Sequence, residues 1–549
     1  MSRYTLLWLL FSVWCFGQTA TENYILSTTC LDADCVKKSQ TIQYFDGLGR
    51  LKQSIGIKAT PKGRDLVTPT EYDNYGRQTK DYLPIPQSGT QNGGFYQNPL
   101  SNAPSVYGNE SIYSEKILEN SPLDRVLGQI QVGNDWRNKP VRFQYEANQT
   151  TDGVYKMTTR TTWEQGATKS TISILGTYAD AQLYKTTTTD EDGNPSIEFK
   201  NGEGQTLLVR KILEGKNIDT YYIYNEYNQL AFVIPPLAVE EIAKTTNLSV
   251  PTLDSLCYQY RYDGRGRMVE KKLPGKGWEY MVYDQLDRLV LTQDANLRGT
   301  GNNFKAQGWI FTKYDQFNRV VYTGFFRNSS TRDQMQTALN NIRSNHHESR
   351  SHTPFNFNNN DIYYTRNAFP KSSLTILSVN YYDTYPANSP AIPNDIWGQE
   401  TLKPEVVNHR STKGLALVSM VKNIEDDGWT KNYTYYDTKG RAIGTLIQNH
   451  LGGYTKTESL LDFSGIAQQT NTYHKRQSSD REIKIAERFE YNAHNPALLE
   501  RHYHQVNEET EELLAEHSYN EIGQLETKKV GGTQGNPLQT INYQYNIRG

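Results

Sequence analysis

The chain has 549 residues, with 58 Lys and Arg against 60 Asp and Glu and a formal net charge of −2. This balance removes the usual argument for a nucleic-acid or anionic-membrane partner, which requires a basic excess. Only 36% of the residues are hydrophobic, yet 39 are Tyr, so the composition favours strands and tight turns over a Leu- and Ala-rich helical protein.

The N-terminus has the pattern of a secretory signal peptide. Arg3 provides a positive charge, and residues 6–16 form an uncharged apolar run that is shorter than the roughly 20 residues needed to span a bilayer. We predict a signal peptide over residues 1–17, cleaved between Gly17 and Gln18, and a secreted or cell-surface protein. A lipoprotein and a buried N-terminal element are the alternatives. No later segment approaches membrane-spanning length.

Three cysteines remain after that cleavage. Cys30 and Cys35 frame a short loop, and export permits a disulfide between them. The alternatives are separate thiols and a zinc site, which would need two further ligands. Cys257 is interpreted as a small buried residue on a strand, because no nucleophile motif surrounds it.

One motif recurs along almost the whole chain, and such repetition indicates a fold of stacked units. It comprises an aromatic residue, Asp or Asn, two variable residues, a small turn residue, and Arg or Gln. The aromatic position of the clear copies is Phe45, Tyr72, Tyr224, Tyr262, Tyr283, Tyr314, Tyr436 and Tyr519. Degenerate copies begin at Tyr382, Leu461, Tyr491 and Tyr545.

Each position of the motif has a structural reason. The Asp or Asn can bond the backbone two residues on, as in an Asx turn. The small residue is of a type that tolerates positive φ, so we predict a left-handed turn residue there. These residues are Gly49, Gly76, Asn228, Gly266, Asp287, Asn318, Gly440, Gly465, Asn495, Gly523 and Gly549. The Arg or Gln that follows is predicted to bond nearby carbonyls or the turn carboxylate. These residues are Arg50, Arg77, Gln229, Arg267, Arg288, Arg319, Arg441 and Gln524.

Strand patterns flank the turns. Residues 278–283 alternate between two faces, and the next motif follows directly. Each motif is therefore predicted to be a β-hairpin. Tyr262, Tyr283 and Tyr314 lie 21 and 31 residues apart, which fits one hairpin per repeat, stacked into a long sheet.

On these Tyr-Asp and Gly-Arg hairpins, residues 40–549 resemble the bacterial RHS/YD-repeat proteins. The first two copies resemble the uncharacterised N-terminal domain that precedes such repeats in secreted members. The resemblance implies an all-β fold, a curved sheet or open part of a hollow spiral shell with a few short helices in insertions. In toxin members the shell encloses a C-terminal effector, and other members are interpreted as surface or carbohydrate-contacting proteins.

We divide the chain into a signal peptide (1–17), an N-terminal RHS-associated domain (18–155), a repeat region (156–330), an insertion-rich region (331–413) and a second repeat region (414–549). Short helices are expected within 237–246 and 333–349, with a weaker signal at 508–516. Residues 352–364 are interpreted as an exposed loop.

No constellation of residues indicates a metal or cofactor site. His502 and His504 would share a strand face, but no third ligand accompanies them, and a solvated strand pair is the simpler interpretation. The same holds for the loop histidines His346, His347 and His352. Asp190 and Asp192 resemble a calcium loop only weakly, so a hairpin turn is preferred. The motif tyrosines either pack across strands, which we favour, or stack on sugars.

We therefore expect a scaffold without catalytic activity, the N-terminal part of a shell-forming protein that encloses a toxin or lies at the cell surface. Its partner would be its own missing C-terminal RHS core or effector, or a cell-surface glycan or protein. The alternative function is a surface protein that binds carbohydrate, and a hydrolase within 331–400 comes third. The last motif stops at Gly549, so residues 543–547 are expected to form an open strand edge that promotes association.

Overall fold

The computed structural model describes residues 21–89, 91–245, 247–342, 346–533 and 535–548. The predicted signal peptide and Gly549 lie outside the described residues. Antiparallel strands dominate the described chain, and the helices are few and short. The all-β prediction is confirmed.

The strands are numbered in chain order. The first are β1 (Asn23–Cys30), β2 (Lys38–Phe45), β3 (Leu51–Ile57), β4 (Leu66–Pro69), β5 (Lys80–Tyr82), β6 (Ile85–Pro86), β7 (Tyr113–Leu118), β8 (Val126–Ile130), β9 (Val141–Ala147), β10 (Tyr155–Glu164), β11 (Ala167–Thr177) and β12 (Tyr184–Thr189). Then come β13 (Pro195–Lys200), β14 (Thr206–Leu213), β15 (Lys216–Tyr224), β16 (Leu230–Ile234), β17 (Tyr258–Tyr262), β18 (Met268–Lys272), β19 (Trp278–Tyr283), β20 (Leu289–Gln293), β21 (Gly308–Tyr314), β22 (Val320–Arg327), β23 (Arg350–Phe357) and β24 (Asn360–Tyr364). The last are β25 (Leu374–Tyr382), β26 (Asp395–Ile396), β27 (Gln399–Glu400), β28 (Ala416–Lys422), β29 (Trp429–Tyr436), β30 (Ala442–Gln448), β31 (Gly452–Leu461), β32 (Ala467–Gln477), β33 (Ile483–Tyr491), β34 (Leu499–Val506), β35 (Glu512–Tyr519), β36 (Leu525–Val530) and β37 (Gln539–Asn542).

The α-helices are α1 (Pro104–Tyr107), α2 (Pro236–Thr245), α3 (Val250–Leu256) and α4 (Arg332–Asn340), and short 3-10 turns cover Pro99–Asn102, Asn134–Trp136 and Thr150–Asp152. Helices α2 and α4 overlap the two segments where the sequence predicts helices, and each begins one residue earlier.

The chain divides into two compact units. The first contains Met1–Pro140, Leu461–Gln469 and Ala486–Gly549, and the second contains Val141–Leu460 and Thr470–Ile485.

In the first unit, β1, β2, β3, β4 and β6 form one sheet in that order. Its buried core comprises Ile42, Tyr44, Ile55 and Val67. Strands β34, β35, β36, β37, β5, β7 and β8 are successive neighbours in another sheet of this unit. These neighbours contradict the expectation of an open C-terminal edge. Residues 543–547 are not a strand, and β37 has β36 on one side and β5 on the other.

The second unit is built on a long antiparallel sheet. Strand β9 pairs with β12, and the order then follows the chain from β12 to β22. Strand β25 comes next, followed by β28 to β31. Helix α2 contributes Ala238 and Ile242 to a core cluster with Phe199, Leu208 and Phe232 of the sheet. Sequential hairpins thus form the sheet, and the helices cover part of it.

Two predictions about loops and helices were wrong. Residues 352–364 fold mostly into the hairpin β23–β24, because Asn358 and Asn359 adopt the positive φ that a tight hairpin turn needs. Residues 512–516 belong to strand β35 rather than to a helix, since Glu516 pairs across strands with Arg501 and Lys529. Cross-strand pairing there outweighs the helix propensity of a Glu-rich segment.

Cys257 is buried, as expected, but the prediction that it lies on a strand was also wrong. It ends helix α3, which the sequence reasoning missed, and its backbone N–H donates to the Leu253 carbonyl. Ser249 caps the start of that helix by accepting a hydrogen bond from the Thr252 N–H.

Candidate functional site

The feature that recurs most often in the structure is the Asp–Arg turn, of which Asp284–Arg288 is representative. Asp284 Oδ1 accepts hydrogen bonds from the backbone N–H groups of Leu286 and Arg288, both at 2.9 Å. Asp284 Oδ2 accepts from Arg288 Nε at 2.8 Å, and Asp287 has a φ of 60°. The carboxylate therefore closes the turn and also fixes the guanidinium. The same three bonds occur in the turns of Asp46, Asp73, Asp263, Asp284, Asp315 and Asp437.

A neutral version replaces this pair with Asn and Gln. Asn225 Oδ1 accepts from the N–H groups of Tyr227 and Gln229, and Asn225 Nδ2 donates to Gln229 Oε1 at 2.9 Å. The turns of Asn201 and Asn520 have the same contacts. Sequence reasoning missed the Asn201 copy because Lys200 occupies the aromatic position, although the Asn-x-x-Gly-Gln spacing was present.

Positive φ occurs at the predicted left-handed position of nine copies. These are Gly49, Gly76, Asn228, Gly266, Asp287, Asn318, Gly440, Gly465 and Gly523. Asn495 is the exception among the described copies, because its turn is wider. There the Asn492 N–H bonds the Leu498 carbonyl, whereas the Asp46 N–H bonds the Arg50 carbonyl four residues on.

Several of these guanidinium groups also contact the next hairpin. Arg288 lies 4.9 Å from the centre of the Tyr314 ring and donates to Asn318 Oδ1 at 3.0 Å. The corresponding pairs, with their distances to the ring centre, are Arg50–Tyr72 (4.7 Å), Arg267–Tyr283 (4.8 Å) and Arg319–Tyr382 (4.5 Å). Cation–π contacts of this kind contribute about 0.5–2 kcal/mol each.

Many of the motif tyrosines in turn bond the hairpin before them. Tyr314 Oη donates to the Leu289 carbonyl, and Tyr283 Oη to the Met268 carbonyl, both at 2.8 Å. The same contact joins Tyr262 to Leu230, Tyr382 to Val320, Tyr436 to Ala416, Tyr491 to Ala467, Tyr519 to Leu499 and Tyr545 to Leu525. These tyrosines are thus engaged between hairpins. We call this set of turns, guanidinium contacts and tyrosine bonds the ladder.

The electrostatics of the ladder suit fixed hydrogen bonds. The backbone N–H of Arg50, followed by its side chain, holds the pKa of Asp46 below its usual value. Burial raises the pKa of Tyr262 to about 12. The carboxylate thus stays charged and the phenol stays protonated near neutral pH, where proton transfer by either group is unfavourable.

The insertion-rich region is attached to the sheet by a buried ion pair. Lys313 Nζ donates to Glu348 Oε1 at 2.7 Å and to the Ala368 carbonyl at 2.9 Å, and both charged side chains are fully buried. Glu348 also accepts from Tyr322 Oη and Thr365 Oγ1. Burial lowers the pKa of Lys313, while the Glu348 charge opposes that shift.

Three of the residues weighed as metal ligands, His502, His504 and Asp190, have protein partners. His502 Nε2 is 2.9 Å from Glu487 Oε1, and His504 Nε2 is 3.2 Å from Glu512 Oε2. Asp190 Oδ1 accepts from the Asn194 N–H and so closes the turn between β12 and β13. Within the described chain, no group of three or more His, Cys, Asp or Glu is arranged to hold a metal.

The cysteines divide into a bonded pair and a buried thiol. Cys30 and Cys35 form a disulfide, and Asp32 accepts from the backbone N–H groups of Val36 and Lys37 beside it. Burial raises the pKa of Cys257 to about 12, which disfavours the thiolate that nucleophilic catalysis needs.

Among the described residues, no helix is both long enough and apolar enough to cross a membrane.

Residues 18–149 match a family described as a domain of unknown function, DUF6443. No curated protein matches the chain. A crystal structure of TcdB2-TccC3-TEV shares 11% identity at a TM-score of 0.43, covering 98% of this chain and 24% of that one. A crystal structure of TcdB2-TccC3 shares 11% sequence identity at a TM-score of 0.42, and the match covers 95% of this chain and 24% of that one. A structure of the Photorhabdus luminescens Tc holotoxin pore shares 12% sequence identity at a TM-score of 0.39, and the match covers 93% of this chain and 22% of that one. The chain spans about a quarter of the length of these structures.

Proposed function

We propose that this protein is an exported scaffold of the RHS/YD-repeat type, without catalytic activity of its own. Its hairpins would form part of a wall that shields a toxin or other partner, or that lies at the cell surface. The ladder is the observation that carries this proposal. At Tyr283, Tyr314 and Tyr382, an Arg–Tyr contact and a tyrosine hydrogen bond join one repeat to the next, in addition to the strand pairing.

The ladder gives a mechanical reason for a protective role. Sheets that rely on strand pairing alone can open between neighbouring hairpins by local unfolding. Arg319 makes such opening costly, because it donates to both carboxylate oxygens of Asp383 and lies over Tyr382. Repeated along the chain, such contacts favour a sheet that resists proteases.

The partner is part of the same proposal. We infer either an RHS core and effector that belong to the same gene product, or a protein or glycan at the cell surface. The structure makes carbohydrate binding by the motif tyrosines less favourable than the sequence suggested, because the hydroxyl groups of Tyr262, Tyr283 and Tyr314 already bond carbonyls of neighbouring hairpins.

Protease protection in the natural gene product tests the scaffold role. The protein purified from its host is digested with trypsin, alone and as the variants Arg319→Gln and Arg327→Gln. Arg327 is the control, since it is exposed at the end of β22. We expect Arg319→Gln to shorten the lifetime of the protected species severalfold, and Arg327→Gln to leave it unchanged. Equal digestion of all three would contradict the proposal.

Two further measurements on the same sample address export and catalysis. Intact mass is expected to place Gln18 at the N-terminus, and a chain that retains residues 6–16 would contradict export. Assays with ester, glycoside and peptide substrates are expected to show no turnover. Turnover that disappears when residues 331–400 are altered would favour the hydrolase instead.

A further inference from the structure

Strand β1 is an open edge of the first unit. It lies at one end of the sheet formed by β1, β2, β3, β4 and β6, and within the described chain no strand pairs with its other side. All eight of its residues are exposed. The unpaired N–H and carbonyl groups of such an edge are a template on which another strand can pair.

This edge lacks the features that normally prevent such pairing. Natural sheet edges are protected by charged side chains, by proline or by a bulge. The sequence of β1 is NYILSTTC, which contains no charged residue, no proline and no glycine. Its pairing with β2 runs without a bulge from Asn23–Phe45 to Cys30–Lys38, and the disulfide between Cys30 and Cys35 closes the connection. Strand β1 is therefore regular and uncharged, with one side open.

The hydrogen-bonding pattern identifies the groups that point outward. The Leu31 N–H donates to the Lys37 carbonyl at 2.8 Å, so these two residues form a hydrogen-bonded pair at the end of the β1–β2 hairpin. Hydrogen-bonded and non-hydrogen-bonded pairs alternate along antiparallel strands. The odd-numbered residues of β1 therefore bond β2. The N–H and carbonyl groups of Tyr24, Leu26 and Thr28 point to the open side.

The side chains of this edge continue a buried core. Tyr24 is opposite Tyr44, and Leu26 is opposite Ile42. Tyr44 and Ile42 are fully buried, whereas Tyr24 and Leu26 are 42% and 38% exposed. Opposite residues share a face of the sheet, so a strand added beside β1 would cover the outer side of Tyr24 and Leu26. An apolar residue on the added strand would extend the core by one row.

A second copy of β1 has the complementary pattern. In an antiparallel pair centred on Leu26, residues 22–30 of the two copies overlap completely, and the two Leu26 side chains are opposite each other. Tyr24 of each copy is then opposite Thr28 of the other, so outward-pointing backbone groups meet outward-pointing groups. The apolar row runs from Ile42 and Leu26 of one copy to Leu26 and Ile42 of the second.

The charges at the two ends of β1 are also complementary in this register. Glu22 precedes the strand, and the exposed Lys38 is opposite Cys30 at its other end. Pairing places Glu22 of one copy opposite Cys30 of the second, one strand away from Lys38 of that copy. Lys38 has no ion pair among the described residues. Glu22 already bonds Lys52 of its own chain, but a carboxylate has about four acceptor sites and can accept a second cation.

We propose that β1 is a self-association edge, at which two copies of this protein pair as an antiparallel, two-fold symmetric ladder centred on Leu26. An unrelated extended peptide would satisfy the backbone groups, whereas a second copy also supplies the apolar row and the end charges. Nine residues from each copy are fewer than the roughly 20–30 of a standard interface, so we expect a dissociation constant in about the micromolar range. This interaction goes beyond the scaffold role and does not depend on it.

Sedimentation velocity of the full chain between about 1 and 100 µM tests the association. We expect a reversible shift from monomer to dimer. Hydrogen exchange of the same samples should slow at the amides of Tyr24, Leu26 and Thr28 as the concentration rises. The amides of Ile25 and Ser27 should be unchanged, because they already bond β2. A chain that stays monomeric over this range, or a dimer that leaves the Tyr24, Leu26 and Thr28 amides unprotected, would overturn the proposal.

Charge variants test the centre of the ladder. Leu26→Lys and Leu26→Glu each remove the apolar contact and place like charges opposite each other, so each should weaken dimerisation about tenfold or more. An equimolar mixture of the two variants should form a mixed dimer, since the introduced charges are then opposite in sign. Leu48→Lys is the control, because Leu48 is 79% exposed in the turn after β2, and it should dimerise normally.

Circular dichroism and thermal melting confirm that each variant is folded. A dimer that persists in folded Leu26→Lys, or a mixture that stays monomeric, would refute self-pairing at Leu26. Protease protection by the ladder would be unaffected by either result.

Discussion

Replacing one turn's Asp–Arg pair with the Asn–Gln pair found in other turns tests the ladder directly. Asp284 and Arg288 are almost completely buried, with side-chain exposures of 2% and 8%. Asp284→Asn leaves a guanidinium without its carboxylate, and Arg288→Gln leaves a carboxylate without its cation. Removing one partner of a buried ion pair lowers the stability of the fold by about 3–5 kcal/mol, and we expect a loss of about 3 kcal/mol for each single variant.

The double variant should cost much less than the sum. It recovers the amide–amide bond seen at Asn225–Gln229. It loses the contacts that Arg288 makes with the Tyr314 ring, with Asn318 and with the carbonyls of Asp315 and His346. We expect the double variant to lose about 4 kcal/mol of stability, rather than the sum of about 6 kcal/mol from the two single variants. The coupling energy between the two residues is therefore about 2 kcal/mol.

Hydrogen exchange measures this locally, which matters because a chain of this size need not unfold in two states. The reporters are the amides of Leu286 and Arg288, which donate to Asp284. If the stability loss of the double variant equals the sum of the two single losses to within 0.5 kcal/mol, the two residues are not coupled and the predicted exchange of pairs is wrong. The same cycle at the more exposed Asp46–Arg50 pair should show a smaller coupling.

Three other expectations concern charge and packing. The Arg125 side chain, followed by Ser121, lowers the pKa of Glu119 to about 2, so this carboxyl stabilises the fold above its unfolded value of 4.5 and loses that contribution as the pH falls from 4.5 to about 2. NMR titration should show Arg125→Met moving the pKa back towards 4.5. Lys313→Met should destabilise the fold by about 3–5 kcal/mol in urea, because it leaves a buried carboxylate unpaired. Gly324→Ala should cost about 1–3 kcal/mol or more, since a Cβ there would overlap the Thr375 carbonyl, and a neutral result would contradict that packing.

Much of the sheet could be predicted because the residues that specify each hairpin are close together in the sequence. The Asx turn, the left-handed residue and the flanking alternation all lie within about ten consecutive residues. The failures also have local causes. Asn495 precedes Pro496 in a turn that is two residues wider than the others, and the Asn358–Asn359 turn was mistaken for part of a loop.

The contacts between hairpins could not be predicted in this way. The sequence indicated that Arg288 would bond nearby carbonyls or its turn carboxylate, but not that Tyr314, 26 residues later, would lie against it. A cavity lined by Trp429, the turn Asn358–Asn360 and Tyr473 is still less accessible to sequence reasoning, since these residues are far apart in sequence. No short pattern identifies such a group.

The pairing of residues in the turns bears on whether the repeated carboxylates are chemical or structural. Buried Asp is matched by Arg, as at Asp284, and Asn225 is matched by Gln229. A catalytic carboxylate could not be exchanged for an amide, whereas a turn closed by hydrogen bonds requires only that both partners keep compatible charge. The turn of Asp190 uses Asn194 instead of Arg, and the Asn194 amide donates to both carboxylate oxygens. It follows that the turns are selected for closure of the hairpin, and that any chemistry of this protein must be sought outside the ladder.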